Sequence, residues 1–179
     1  MVRDPSGSGW QIAHVARAPV VVRPASEDEV EALARLWADG WRDAHLGIVP
    51  DELARLRTPE SFRERMAAGL SEVRVAGPPG APLGFCMLKG DELYQIYVAA
   101  AARGSDVAAA LLADGEARLA ARGVPVAWLA CAIGNHRAAR FYEKSGWQRI
   151  GTWTDPLETS AGTLFLEVWR YEKVLPPSR

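Results

Sequence analysis

The residues best placed to do chemistry lie where an apolar strand ends and a helix of small residues begins. Leu93–Val98 is predicted as a strand, and the run Arg103-Gly104-Ser105-Asp106-Val107-Ala108 leads from a short loop into a helix. The first N–H groups of a helix lack partners within it, and the helix dipole favours negative charge there. The segment therefore predicts a site for phosphate-like anions. The alternative is an ordinary alanine-rich helix capped by Ser105 or Asp106.

Composition and net charge give little indication of what this chain binds. Its 179 residues suit one domain with a core, and a net charge of -1 gives no reason to expect nucleic-acid or membrane-surface binding. No apolar run approaches a membrane span, and the N-terminus lacks a secretory pattern, which favours a cytoplasmic location. Cys86 and Cys131 lie in apolar, strand-like runs. We interpret them as small buried hydrophobes rather than a disulfide or metal pair.

Hydrophobic periodicity predicts the elements that must position the helix start. Residues 1–19 are predicted as a flexible lead-in, 20–174 as one domain and 175–179 as a tail. The predicted order is β-α-α-β-β-β-α-β-α-β-β, with one or two helices between residues 51 and 70. A hairpin block followed by a βαβ crossover indicates an α+β fold, in which helices cover both faces of the sheet.

Several local expectations follow from the same patterns. Ser26 and Glu29 form a capping box before a helix, and Thr58 caps another. The strand before the helix start is expected to carry Tyr94, Ile96 and Val98 on one face. The segment from Gly40 to Pro50 is expected to be loosely structured, and the last two strands are placed near Gln148–Trp153 and Thr163–Glu172.

The chain resembles the GNAT superfamily of N-acetyltransferases in two motifs. The family's pyrophosphate-binding pattern, Gln/Arg-x-x-Gly-x-Gly/Ala, is matched by residues 103–108, with Asp106 in place of the central glycine. A second family pattern, Asn-x-x-Ala-x-x-Phe-Tyr-x-x-x-Gly-Phe, is matched by residues 135–147, with Trp147 as the last aromatic residue. The element order is also that of the GNAT fold. The resemblance implies a central mixed, mostly antiparallel sheet with helices on both faces.

By this resemblance, the helix start would hold acetyl-CoA. The strand before it would diverge from its neighbour near Val98 and free backbone groups to pair with the pantetheine arm. The alternative is continuous pairing with the strand Val124–Cys131. Asn135 would lie beside the pantetheine arm, and it is equally suited to be a plain N-cap. The implied cofactor-binding residues are Ile96, Val98, Arg103, Gly104, Ser105, Asp106, Val107, Ala108 and Asn135.

The resemblance also implies two catalytic residues. Tyr142 is at the position of the family's usual general acid, which protonates the departing CoA thiolate, although the alternative is core packing beside Phe141. Glu92 lies six residues before Val98, the spacing of the general base in the histone-acetylating branch. Glu92 is alternatively a solvated turn residue beside Asp91. Many members of the family are thought to use a water relay, so the resemblance does not require a side-chain base.

The acceptor side is less well marked. Residues 41–50 resemble the Trp-x-x-x-Tyr-x-Gly-x-x-Pro segment that forms one wall of the acceptor site in some members, with His45 in place of the tyrosine. Trp41 and His45 are therefore candidate substrate-binding residues, and a structural role for His45 is the alternative. Trp10, Trp128, Trp153 and Trp169 do not alternate with basic residues, so nucleic-acid stacking is not indicated.

Together these features predict an acetyl-CoA-dependent N-acetyltransferase acting on a small-molecule or peptide amine by direct attack. No metal is implied, because the chain has no His/Cys cluster at ligand spacing. The protein is expected to be a monomer or homodimer. The alternative is a GNAT-fold module that binds acyl-CoA or a partner but transfers weakly, because the Asp106 carboxylate would repel a pyrophosphate. If Asp106 points to solvent, the site still binds with reduced affinity.

Overall fold

A seven-stranded mixed sheet forms the centre of the protein in a computed structural model that describes residues 18–177. The strands run in the spatial order β1-β2-β3-β4-β5-β7-β6. Neighbouring strands are antiparallel except β4 and β5, which are parallel. The strands are β1 (Val22–Pro24), β2 (Val73–Ala76), β3 (Gly84–Lys89), β4 (Glu92–Val98), β5 (Val126–Ala132), β6 (Gln148–Thr159) and β7 (Gly162–Val174).

Helices cover both faces of the sheet, as the sequence predicts for this α+β fold. On one face, buried side chains of α1, α2 and α3 pack with Phe85 and Met87 of β3. On the other face, α4 and α5 pack with Cys86 and Leu88 of the same strand. The helices are α1 (Val30–His45), α2 (Asp51–Leu56), α3 (Pro59–Gly69), α4 (Val107–Ala121) and α5 (His136–Lys144).

Local sequence signals set some of the helix starts. The Oγ1 of Thr58 accepts the Ser61 N–H at 3.2 Å, and the Ser26 N–H donates to the Glu29 carboxylate at 3.1 Å. Between Gly40 and Pro50 the prediction was wrong, because α1 continues through His45. The buried Trp41 ring packs in the core beneath α1 and stabilises this last turn. Trp41 and His45 therefore project from one face of a helix.

The prediction that Tyr94, Ile96 and Val98 share one face of β4 is also wrong. The register between β3 and β4 shifts between Met87 and Leu88, which leaves an extra residue on β4. Tyr94 packs on the α1 side of the sheet, whereas Ile96 and Val98 pack on the α4 side. A bulge reverses the alternation of side chains, and a regular period of two cannot show it.

The last two strands are longer than predicted. In the hairpin that β6 and β7 form, β6 extends to Thr159, six residues past its expected end at Trp153, and β7 runs from Gly162 to Val174, slightly beyond Thr163 and Glu172. Pro156 is tolerated inside β6 because this strand is at the edge of the sheet, where its missing N–H breaks no ladder. The extension packs Leu157 against the core cluster that contains buried residues of α2 and α3, and it brings the Glu158 carbonyl to Arg57.

Other expectations concern the cysteines and the ends of the domain. Both cysteines are free and buried, as predicted. The N–H of Leu175 donates to the Pro125 carbonyl at 2.9 Å, and its side chain is buried. Most of the predicted lead-in, with Trp10, lies outside the described residues. Within residues 18–177, no helix is both long and apolar enough to cross a membrane.

Candidate active site

Strands β4 and β5 diverge and open a wedge at the centre of the sheet. Among residues 18–177, Glu92 and Trp128 are the one pair in parallel register, and the Trp128 N–H donates to the Asp91 carbonyl at 3.3 Å. Beyond this point Ile96 and Val98 pair only with β3, at Cys86 and Gly84. The β5-facing edge of β4 is therefore free near Ile96 and Val98, and the alternative of continuous pairing does not apply.

One pocket, here called the helix-start pocket, lies at the open end of this wedge. It has a volume of about 240 Å³. The end of β4, the loop before α4, the start of α4 and one side of α5 line it, and α1 closes it at Gly40 and Ala44. Seven predicted cofactor-binding residues line this pocket: Ile96, Val98, Arg103, Gly104, Ser105, Ala108 and Asn135.

The backbone at the start of α4 supplies free hydrogen-bond donors at and beside this pocket, which Gly104 and Ala108 line and Asp106 and Ala109 do not. The N–H groups of Gly104, Asp106, Ala108 and Ala109 have no acceptor among the described residues. Not every N–H group between residues 103 and 108 is free. The N–H groups of residues 103 and 105 bond within the preceding 3-10 turn, and Ser105 Oγ accepts that of Val107 at 3.4 Å.

Glycine at position 104 suits this loop for two reasons. Its φ of +75° lies in the left-handed region, where side chains are strained. A Cβ atom there would meet no atom within 4 Å, so the space beside the free N–H groups is open. An anionic group can therefore approach the backbone closely. For this reason the helix start fits the phosphate groups of acetyl-CoA.

Asp106 and Val107 do not line the helix-start pocket. The Asp106 side chain is exposed and makes no capping hydrogen bond, so it leaves the N–H groups free. Val107 is a core residue and is 4% exposed. Arg103 lines the pocket, and its Nη2 donates to Asp43 Oδ2 on α1 at 2.7 Å. The pair is partly exposed, so solvent weakens it and leaves Arg103 able to turn.

A second pocket, here called the hairpin pocket, lies on the other side of the wedge. It has a volume of about 130 Å³ and is bounded by α1, α2, α3, β4, β5 and the β6–β7 hairpin. All four residues predicted for catalysis or acceptor contact line it: Trp41, His45, Glu92 and Tyr142. Asn135 lines it as well, and both Tyr142 and Asn135 also line the helix-start pocket.

Tyr142 lies at the junction of the two pockets. Its side chain is 8% exposed and packs against Trp147 and Tyr171. Burial raises the pKa of its phenol well above the usual value, so the hydroxyl stays protonated at any physiological pH. Core packing and a position beside both pockets therefore occur together. Asn135 Oδ1 accepts the Ala138 N–H at 3.2 Å, so this residue is an N-cap that also lines both pockets.

Glu92 is a buried carboxyl group at the start of β4, and it is 8% exposed rather than solvated. Burial raises its pKa to about 8, and the nearby charge of Asp155 adds to the rise. Asp155 comes from the β6–β7 hairpin, and burial raises its pKa too. The group is thus mostly protonated at neutral pH, and it becomes a base near pH 8 or when a cation neutralises its surroundings.

His45 is held in place within its own helix. Its Nδ1 lies 2.8 Å from the Trp41 carbonyl, and its ring stacks on that of Trp41 with centroids 4.9 Å apart. Burial lowers the pKa of the imidazole, which favours the neutral form. The ring therefore forms a flat, uncharged wall of the hairpin pocket together with Trp41.

Sequence reasoning missed several residues of the hairpin pocket. Arg57 follows α2, Arg65 lies on α3, and Asp155 lies on the hairpin. In the sequence each resembles an ordinary surface charge, and only the long hairpin encloses them. A long strand β6 would have indicated this enclosure in the sequence. It was not predicted because the pair Asp155-Pro156 is typical of a turn. No group of three or more metal-ligating side chains occurs within residues 18–177.

Comparison with known proteins is consistent with this geometry. The model of the acetyltransferase (GNAT) family matches residues 31–147, which is more than half of the chain. The protein therefore belongs to the GNAT family of acetyltransferases. No curated protein matches its sequence.

Solved structures share the fold at low sequence identity. A GCN5-related N-acetyltransferase from Rhodopseudomonas palustris has a TM-score of 0.70 at 21% identity, and the match covers 90% of this chain and 99% of that one. The paia N-acetyltransferase from Thermoplasma acidophilum, solved with coenzyme A, gives 0.65 at 17%, covering 88% and 99%. The putative acetyltransferase yncA from Salmonella typhimurium, solved with acetyl-CoA, gives 0.59 at 15%, covering 90% and 97%.

Proposed function

We propose that the protein transfers an acetyl group from acetyl-CoA to an amine acceptor by direct attack. The observation that carries this proposal is the position of Tyr142, which lines the helix-start pocket and the hairpin pocket at once. A donor in one pocket and an acceptor in the other would meet beside its hydroxyl. Family membership and the solved relatives bound to coenzyme A or acetyl-CoA support the same function.

The helix-start pocket is suited to acetyl-CoA, which supplies an activated acetyl thioester when bound. The free N–H groups of Gly104, Asp106, Ala108 and Ala109 would bind its pyrophosphate, with Arg103 as an added cation. The free edge of β4 near Ile96 and Val98 would bind the amides of the pantetheine arm. Asn135 borders the same path at the far side of the wedge.

The hairpin pocket is suited to the acceptor. Glu92 would accept a proton from the acceptor ammonium, either directly or through a water, so that the free amine can attack the thioester carbonyl. Tyr142 would donate its phenolic proton to the departing thiolate sulfur. Its raised pKa means that the hydroxyl carries its proton and can donate to that sulfur. Trp41 and His45 would form the acceptor wall.

The decisive experiment compares two tyrosine variants. Acetyl-CoA binding is measured by calorimetry, and release of free CoA thiol is followed with a panel of amines. Tyr142→Phe is expected to lower kcat by about 10²–10⁴-fold with an unchanged acetyl-CoA Kd. Tyr171→Phe is the matched control, because Tyr171 is a buried neighbour whose hydroxyl donates to Glu143 at 2.9 Å and which lines neither pocket.

Two outcomes would contradict the proposal. Equal loss of kcat in both variants would mean that Tyr142 acts only through packing. Tight acetyl-CoA binding without thiol release for any amine would favour the alternative of a binding module. The binding-module alternative depended on interference by Asp106 with the pyrophosphate. The Asp106 side chain is exposed and makes no capping hydrogen bond, so it provides no observation in favour of that alternative.

A further inference from the structure

Two arginines line the hairpin pocket without a carboxylate partner among the described residues. Arg57 is 5% exposed, and its Nη1 donates to the backbone carbonyl of Glu158 at 3.0 Å. Arg65 donates from Nη2 to the hydroxyl of Tyr94 at 2.9 Å. The Nη1 of Arg65 is buried with no hydrogen-bond partner. Both guanidinium groups thus keep donors without a hydrogen-bond partner within residues 18–177, and both residues line one small pocket.

This arrangement is costly unless an anion joins it. A buried cation loses its hydration, and the loss is repaid only by a counter-charge and full hydrogen bonding. Burial, with the neighbouring charge of Arg65, lowers the pKa of Arg57 to about 10. The ring of Trp37 lies 4.2 Å from the Arg65 guanidinium carbon, which offsets part of the cost for that residue alone.

The hairpin pocket also contains two acidic side chains. Glu92 and Asp155 line it as neighbouring carboxyl groups, and burial raises the pKa of each, that of Glu92 to about 8. No salt bridge joins either carboxyl group to Arg57 or Arg65, and neither arginine is among the charges that shift the pKa of Glu92. The pocket therefore has one cationic part and one acidic part that do not neutralise each other.

We propose that the acceptor is a zwitterion of amino-acid type, with its amine at Glu92 and Asp155 and its carboxylate at Arg57 and Arg65. This inference rests on the proposed function, because it assigns the amine to the reacting side of the pocket. The planar fork of a guanidinium matches a carboxylate in two hydrogen bonds. Polyamines and aminoglycosides would bring further cations to the two arginines, and a protein N-terminus would bring a neutral amide.

The first test compares acids with their amides. The standard L-amino acids, their C-terminal amides and spermidine are supplied with acetyl-CoA, and thiol release is measured. At least one amino acid is expected to react, and its amide is expected to have a kcat/KM at least about tenfold lower, since hydrogen bonds to a charged group are lost. Amides or spermidine that react as well as any acid would overturn the proposal.

The second test uses matched arginine variants. Arg65→Gln and Arg57→Gln are expected to raise KM for the amino acid by about 10–100-fold and to leave the value for its amide nearly unchanged. The controls are the exposed neighbours Arg63→Gln and Arg55→Gln, which should change neither value. An unchanged acetyl-CoA Kd in every variant verifies folding. Equal effects on acid and amide would overturn the proposal.

A third measurement separates this inference from the proposed function. Calorimetry of each amino acid without acetyl-CoA reports binding in the hairpin pocket, whether or not transfer occurs. Binding that Arg57→Gln and Arg65→Gln abolish would support the charge assignment even if no thiol were released. If no amino acid binds but the protein acetylates amines that lack a carboxylate, the proposal of a zwitterionic acceptor is overturned. The acetyltransferase function would remain supported.

Discussion

Glu92 on β4 lies opposite Trp128 on β5, and within residues 18–177 no other pair of residues is in register between these two strands. Two parallel strands in an α+β sheet would ordinarily pair along their length. Here they separate immediately, so β4 keeps one free edge in the middle of the sheet. The same pair places Glu92 at the narrow end of the wedge, next to the hairpin pocket.

Hydrogen exchange should detect a ligand that uses the wedge. If the pantetheine arm pairs with β4, acetyl-CoA will slow exchange of amides in residues 94–98 and in residues 103–109. Adenosine 3′,5′-bisphosphate, which lacks the arm, is the matched ligand and should protect at most the second segment. Mass spectrometry of peptic peptides measures both. Protection of the helix start alone by acetyl-CoA would show that the free edge of β4 is unused.

Asp106 provides a test of the helix-start pocket. Its exposed carboxylate makes no capping bond, so it acts on a pyrophosphate only by repulsion through solvent. Asp106→Gly is expected to tighten acetyl-CoA binding by roughly 2–5-fold at low salt, with a smaller gain at high salt. Calorimetry measures the change.

A second variant separates charge from backbone at this position. Asp106→Asn removes the charge and keeps a side chain, so it should give most of the gain seen with glycine. If only Asp106→Gly tightens binding, backbone freedom is the cause. An affinity that neither variant alters would contradict the repulsion.

The pH profile of the reaction should report Glu92. A general base must be deprotonated, so kcat/KM is expected to rise with pH and level off near the pKa of about 8. Glu92→Gln should remove this limb and lower the rate. Because the charge of Asp155 raises the pKa of Glu92, Asp155→Asn should move the limb to lower pH. A limb that Asp155→Asn does not move belongs to the acceptor amine or to a water relay.

Glu92 should also make the protein less stable at high pH. In the unfolded chain its carboxyl loses its proton near its ordinary pKa, whereas the folded chain retains that proton until about pH 8. The unfolded state therefore binds fewer protons between these values, and the free energy of unfolding falls as pH rises through this window. Above it the loss is complete.

Substitution of Glu92 should remove this dependence. Relative to the parent, Glu92→Gln is expected to gain about 2–5 kcal/mol in unfolding free energy between pH 4 and pH 9. Denaturant titrations across this range measure the difference, and Glu52→Gln on the exposed side of α2 is the control. A difference that stays constant with pH would mean that the Glu92 carboxyl is not desolvated.

Local sequence was enough to predict the order of elements and the loop that begins α4. Those features depend on neighbouring residues: Gly104 with its left-handed φ, the caps Thr58 and Asn135, and the alternation of apolar side chains. The expectation that Tyr142 acts beside the helix start came from the resemblance, and in the tertiary structure Tyr142 lines both the helix-start pocket and the hairpin pocket. Its role in catalysis stays a prediction, as does that of Glu92.

Long-range packing decided the rest, because it depends on residues far apart in the chain. The bulge at Tyr94 is set by pairing with β3, and it turns the Glu92 side chain away from the face on which Val98 packs. The reach of the β6–β7 hairpin depends on contacts such as Arg57 with the Glu158 carbonyl, 101 residues apart. Charges that seem ordinary in the sequence thus become a buried, two-signed pocket, since burial is a property of the folded chain and not of any local segment.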